Sequence, residues 1–284
     1  MAARLSDISA HIENVRQLEA VVTALRGISA ARTQQSRALL SGIQSHAAIV
    51  ARAIGEALRL VPRDWDMPVG GTGGRKALIL FTAEGGFCGG LSDRVFDAAG
   101  GEMADCTLFQ IGSRGLVIAE ERGIILDWTA PMATQIGAVA NVAGKIASAL
   151  YARIADGEFL RAEMIYPRPQ PLGNPVIERQ FILPLDITTF RLTDEAQPPL
   201  TNLTATELLG QLAEEYIYAR LCSAAMHSFV AENEARMAAM TAARDHIDDT
   251  LAALVVREHQ ARQEQVTAEI VELSAATLSE PEPF

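Results

Sequence analysis

Along the first 60 residues, apolar side chains recur at helical spacing: Leu5, Ile8, Ile12, Val15, Leu18, Val22, Leu25 and Ile28. Steps of three and four place them on one face of an α-helix, and no proline interrupts residues 1–60. The pattern stops at VPRDWDMPVGGTGGRK (61–76), where proline and glycine cluster as in a linker or loop. Between residues 76 and 190 short apolar runs alternate with helical stretches. ALILFTA (77–83), CTLFQIG (106–112) and IILDW (124–128) read as buried strands, with SRGLVIAEERG (113–123) and IGAVANVAGKIASALYARIA (136–155) as helices. Such alternation predicts a parallel sheet with crossover helices. EFLRAEMIYPR (158–168) and VIERQFILPLDITTF (176–190) follow as two more strands, joined by a proline-rich turn.

The final third has the simplest pattern. Between Gly210 and Pro281 there is neither glycine nor proline, and Ala, Leu, Glu, Gln and Arg dominate. These are good helix formers, and an unbroken helix over that span would measure roughly 105 Å. A compact domain of this chain's length has a diameter of only about 50 Å. Such a helix therefore has to project, and its apolar stripe (Met237, Met240, Ile247, Leu251, Leu254) needs a cover. The N-terminal helix is the natural one. Residues 1–60 hold seven Arg against four Asp and Glu, a net +3; residues 211–280 hold five Arg and no Lys against 12 acids, a net −7. Antiparallel pairing is expected, stabilised mostly by the apolar seam, since an exposed ion pair contributes only about 0.2–1 kcal/mol. Glu258, Arg262 and Gln265 break the stripe, so a dedicated dimeric zipper is not expected. Four segments result: helix 1–60, linker 61–75, α/β domain 76–200 and helix 201–284.

Composition narrows the classes. A net charge of −11 and a pI near 5.0 argue against a nucleic-acid binder. No apolar run approaches the ~18 residues of a membrane span, and MAARLSDISAHIENV lacks a signal core. Cys88, Cys106 and Cys222 lie far apart without CxxC spacing, the expectation being free thiols in a soluble cytoplasmic protein. The histidines are scattered through predicted helices, and HIDD (246–249) reads as a solvated helix face rather than a metal site.

One stretch raises a chemical question. TAEGGFCGGLSDR (82–94) joins a strand to a helix through a glycine-dense turn, which is how many nucleotide-binding folds hold phosphate. It contains neither GxxxxGK[ST] nor GxGxxG, because Phe87 and Cys88 stand where glycine would be needed. Gly86, Cys88, Gly89 and Gly90 are expected to form a tight structural turn. Cys88 has no histidine nearby in sequence, so no nucleophile is expected.

The C-terminal stretch EYIYARLCSAAMHSFVAENEARMAAMTAARDHIDD (215–249) resembles the signature region of the gamma subunit of F-type ATP synthases, the central rotor shaft. ARQEQVTAEIVELSAA (261–276), GGFCGGLS, IGSRG, FILPLD and IENVRQLEAVVTALRGISAAR resemble that family's patches in the same order, nearly end to end. Three departures mark a divergent bacterial member: Ala83-Glu84-Gly85 where the family usually has Ser-Asp-Arg, TQQSR where it is richer in Lys and Arg, and Glu258-His259 where it has Tyr-Asn. The resemblance implies an α/β fold plus a long antiparallel coiled coil, with the terminal helices as shaft and a Rossmann-like domain as foot. It implies a non-catalytic subunit with no cofactor, coupling ion flow through a membrane ring to ATP synthesis or hydrolysis. Its partners would be an alpha3/beta3 hexamer, an epsilon-type subunit and the ring of c subunits, with no nucleic acid. Its place would be peripheral, on the cytoplasmic face of the bacterial inner membrane. Arg262 and Gln263, with Arg26, Arg32 and Leu25 on the opposing helix, would contact the catalytic beta subunits. Two other classes stay open at this point: a nucleotide- or cofactor-binding α/β enzyme with a coiled-coil oligomerisation arm, and a structural coiled-coil scaffold.

Overall fold

The computed structural model describes residues 2–61, 75–170, 173–190 and 200–278. Among them five α-helices and five strands follow in the order α1 (Ala2–Ala57), β1 (Arg75–Phe81), α2 (Leu91–Ala99), β2 (Cys106–Ile111), α3 (Ser113–Glu121), β3 (Trp128–Ala130), α4 (Val139–Ala155), β4 (Phe159–Arg168), β5 (Val176–Leu183) and α5 (Ala205–Leu278). Most of the expected linker, residues 62–74, lies outside the described residues, as does 191–199. The two long helices and the α/β alternation stand as expected. They fall into two compact units: residues up to 28 with those from 237 onward, and residues 29–236.

The larger unit is built on one sheet in the order β3-β2-β1-β4-β5. β1 pairs in parallel with β2 and β4, and β2 with β3, while β5 runs antiparallel to β4. Helices cover both faces, which is why β1 reads as a continuous apolar run rather than an alternation. Ala77, Ile79 and Phe81 point into a core with Phe109, Phe159, Ile146 and Leu150 of α4, and Leu221 and Phe229 of α5. Leu78 and Leu80 point the other way, onto Val95 and Phe96 of α2. A single carboxylate is buried in the sheet: Glu163, 1% exposed, which Lys76 Nζ contacts at 2.8 Å and Arg179 also holds. Within this unit α1 adds Leu40 and Ile43 to the main core and Val50, Ile54 and Ala57 to a cluster with Phe190 and Leu209. α5 starts with a reciprocal cap: Thr204 Oγ1 donates to Glu207 Oε2 at 2.7 Å and accepts from Glu207 N at 3.3 Å.

The third strand departs from expectation. IILDW (124–128) forms a strand only from Trp128; Ile124 and Leu126 are instead loop side chains packed on the α2/α3 core. Asp127 explains the break, because its carboxylate accepts from Leu108 N at 2.7 Å and turns the chain before it joins the sheet.

The smaller unit is an antiparallel pair of helical segments. Val22 packs with Met240 and Ile247, flanked by Val15, Leu25 and Leu251, and Ser9 Oγ donates to Glu258 Oε1 at 3.0 Å. The expected stripe is corrected at two places: Leu18 and Ile28 are 52% and 50% exposed. Burial on α1 follows positions 8, 12, 15, 19, 22, a strict alternation of four and three residues, and Leu18 and Ile28 fall just beside that line. No helix among the described residues is long and apolar enough to cross a membrane.

Candidate functional site

The glycine-dense turn after β1 is where the sheet meets α5. Its first residue, Thr82, closes the strand end: its N–H donates to Ile111 O at 2.8 Å, and its hydroxyl to the same oxygen at 2.9 Å. Beyond Ala83, whose N–H donates to Ser92 Oγ at 3.1 Å, two amides point at a carboxylate 148 residues from the first of them. Glu84 N donates to Glu232 Oε2 at 2.9 Å and Gly85 N to Glu232 Oε1 at 3.1 Å. Arg236, one helical turn along α5, completes the clasp. Its Nε donates to Gly86 O at 3.1 Å, and one terminal nitrogen meets Glu232 Oε1 at 2.5 Å and Cys88 Sγ at 3.2 Å. Glu232 and Arg236 are 5% and 9% exposed. This is therefore a buried, hydrogen-bonded ion pair rather than a surface one.

Gly89 has φ +59°, which favours glycine, and a Cβ on Gly85 would stand 2.6 Å from the Arg236 terminal nitrogen, which would have to shift within the clasp. Phe87 adopts φ +62° with its side chain 68% exposed, a backbone region that is costly for a bulky residue. Cys88 lies inside the turn and donates to Gly86 O at 3.2 Å. Burial, reinforced by the Glu232 charge, pushes its thiol up to about 11. It stays protonated and is a poor nucleophile.

A second carboxylate fills the neighbouring helix start. Glu84 accepts from Ser113 N at 3.1 Å, Ser113 Oγ at 2.6 Å and Met132 N at 2.7 Å. Ser113 opens α3, where unpaired N–H groups and the helix dipole favour negative charge. The positions at which nucleotide-binding folds hold phosphate are thus occupied by side chains of the chain itself, Glu232 at the turn and Glu84 at the helix. Among the described residues no group of three or more His, Cys, Asp or Glu side chains could hold a metal ion.

Gly86, Cys88, Gly89 and Gly90 come together in this turn. Gly85, Glu84, Glu232 and Arg236 were missed. The available signal was a Glu and an Arg four residues apart inside the apolar stretch AAMHSFVAENEARMAAM. The expected contact residues are dispersed. Arg262 is an exposed side chain 3.6 Å from Glu258, Gln263 is exposed, and Arg26 and Arg32 are half-buried. Leu25 belongs to the Val22–Met240–Ile247 seam. Arg262 does not break the stripe: the covered positions run through Leu254, Glu258, Ala261 and Gln265, so this arginine lies on the outer face.

Two long helices bracketing, in sequence, a mixed sheet whose anion positions are filled from within define a protein of paired long helices with an α/β domain inserted between them in the chain. The family model described as ATP synthase matches residues 4–277, and the chain belongs to that family. The ATP synthase gamma chain of Geotalea daltonii is 24% identical over 281 residues, covering 95% of this chain and 96% of that protein. That of Geotalea uraniireducens is 23% identical over 299 residues, covering 98% and 99%. The same fold occurs in chains of two structures of the Euglena gracilis mitochondrial ATP synthase, one of them of its rotor. One, from rotational state 1, has a TM-score of 0.64 at 14% identity, covering 94% of this chain and 100% of that one. Another, from an OSCP/F1/c-ring structure, has a TM-score of 0.67 at 11% identity and full coverage of both.

Proposed function

We propose that this chain is the gamma-type central rotor of an F-type ATP synthase, acting by position rather than by chemistry. The observation that carries the reading is the match over residues 4–277, which takes in both long helices and the sheet as one unit of descent. The filled turn supports it: Glu232 and Glu84 already satisfy the backbone amides that a nucleotide phosphate would need. The rotor turns inside an alpha3/beta3 hexamer and is gripped at its sheet domain by a ring of c subunits and an epsilon-type subunit. It is peripheral to the membrane, on the cytoplasmic face of a bacterial cell. Each rotation angle presents a different face of the paired helices to each catalytic site, and that differential contact biases its conformational equilibrium.

On this reading Arg262 and Gln263 engage beta-subunit loops, the exposed guanidinium meeting carboxylate or carbonyl oxygens in a forked geometry. Arg26 and Arg32, with Leu25, do so from α1. The test is co-expression with alpha, beta and ring subunits. The chain is expected to co-purify in the complex, and failure to assemble overturns the reading. In the reconstituted complex, Arg262→Ala with Gln263→Ala is expected to impair the coupling of ATP turnover to ion transport while leaving the fold intact; unchanged coupling removes those residues from the contact. The isolated chain is expected to show no nucleotide binding at micromolar concentration, a result opposite to that of the α/β-enzyme alternative.

A further inference from the structure

α5 carries a buried imidazole outside the clasp. His227 is 8% exposed, and its ring lies nearly parallel to that of Tyr166 on β4, with centroids 6.0 Å apart and planes 22° from each other. Its Nδ1 is enclosed and has no hydrogen-bond partner among the described residues. Across the β4–β5 ladder Tyr166 stands opposite Glu178, whose Oε2 lies 2.5 Å from Arg168 Nε. On α5 itself, Arg220 lies over the ring of Tyr216 and also acts on Tyr166. The charges acting on His227 are thus one carboxylate, already engaged by an arginine, and that arginine, which repels a second cation. Tyr166 is itself 4% exposed and uncharged, its hydroxyl pushed well above its ordinary range by burial and by Glu178. A proton added to the imidazole would have to be housed against the Tyr166 ring, on a nitrogen that is enclosed and unpartnered among the described residues.

We propose that His227 is a pH-responsive latch: neutral, it seats α5 on the β4–β5 hairpin, and protonated, it loosens that seat. Burial pushes the imidazole below its ordinary 6.5; Glu178 draws it back up, Arg168 pushes it down again, and the balance is downward. Above 6.5 neither the folded nor the unfolded chain holds the proton and the latch is fully closed. As pH falls below 6.5 the unfolded or locally opened form takes up the proton first, and stability is lost until the folded-state value is passed. The inference concerns packing within the chain and does not rest on the rotor reading; in a rotor it would make the seat of the shaft helix soften as its compartment acidifies.

Hydrogen exchange on the full chain at about pH 7.5 and about pH 5.5 tests it, with rates corrected for intrinsic pH dependence. Amides of β4, β5 and the part of α5 around His227 are expected to exchange roughly fivefold faster at the lower pH, and His227→Gln is expected to bring that ratio below about twofold. An equal acid acceleration in His227→Gln overturns the proposal. Where that variant does not fold, NMR titration of the imidazole in the unaltered chain decides: a midpoint below 6.5 supports the latch, and one at or above 6.5 overturns it.

Discussion

α5 is held in two different ways along its length. From Ala224 to Asn233 every residue is buried, so the helix is covered on all sides. This stretch includes Met226, Phe229 and Val230 together with the polar His227, Ser228, Glu232 and Asn233. From Met237 onward only every third or fourth residue is covered, by a seam of Met240, Ile247 and Leu254. The first stretch lies inside a core and is tied to the sheet through the directed bonds of Glu232, with Arg236 one turn on; the second rests on a thin apolar line. Directional polar contacts fix rotation of a helix about its own axis, because each bond is lost with a small turn, whereas a methyl-lined seam fixes register mainly through side-chain fit. Each region therefore has its own characteristic response to substitution.

The largest effect is expected at the clasp. Arg236→Ala leaves the Glu232 carboxylate buried without its cation and should lower the stability of unfolding by about 3–5 kcal/mol, measured by chemical denaturation. Removing Glu232 as well should cost clearly less than the sum of the two single changes; strict additivity would mean that the two do not act as a pair. In the seam, Ile247→Ala should cost roughly 2–3 kcal/mol, at the low end for a buried isoleucine because a two-helix seam can close over the gap. A loss equal to that of Arg236→Ala would erase the distinction between the two regions. Smallest is Ser9→Ala, which removes the exposed bond to Glu258 and should change stability by less than about 1 kcal/mol in thermal unfolding.

The same contrast explains what could be read in advance. α1, α5 and the seam residues Met240, Ile247 and Leu254 were legible because helix periodicity and the absence of glycine and proline are local signals. β1, β2, β4 and β5 were legible as apolar runs between turns. The exposure of Leu18 and Ile28 was not, because the choice between adjacent apolar lines on one helix is made by the partner's side chains. Nor was the clasp. Glu232 and Glu84 lie 148 residues apart in the chain, and a composition that shows a glycine-rich turn after a strand carries no information on what fills it. The absence of the phosphate-binding motifs argued against a nucleotide; only the fold shows the carboxylates that fill the turn. The contact residues Arg262, Gln263, Arg26 and Arg32 remain a proposal of family likeness, since their chemistry depends on other chains.

The buried line of α1 continues beyond residue 28 in hydroxyl side chains: Ser29, Thr33 and Ser36 are 1%, 6% and 0% exposed. Ser36 returns its hydroxyl to Arg32 O at 2.6 Å, satisfying itself within its own turn and favouring a slight bend there. Three such short groups in succession occupy little volume, which permits a closer approach than a line of leucines would. The stretch therefore has little spare room, and an added methylene on one of these residues must displace what packs against it.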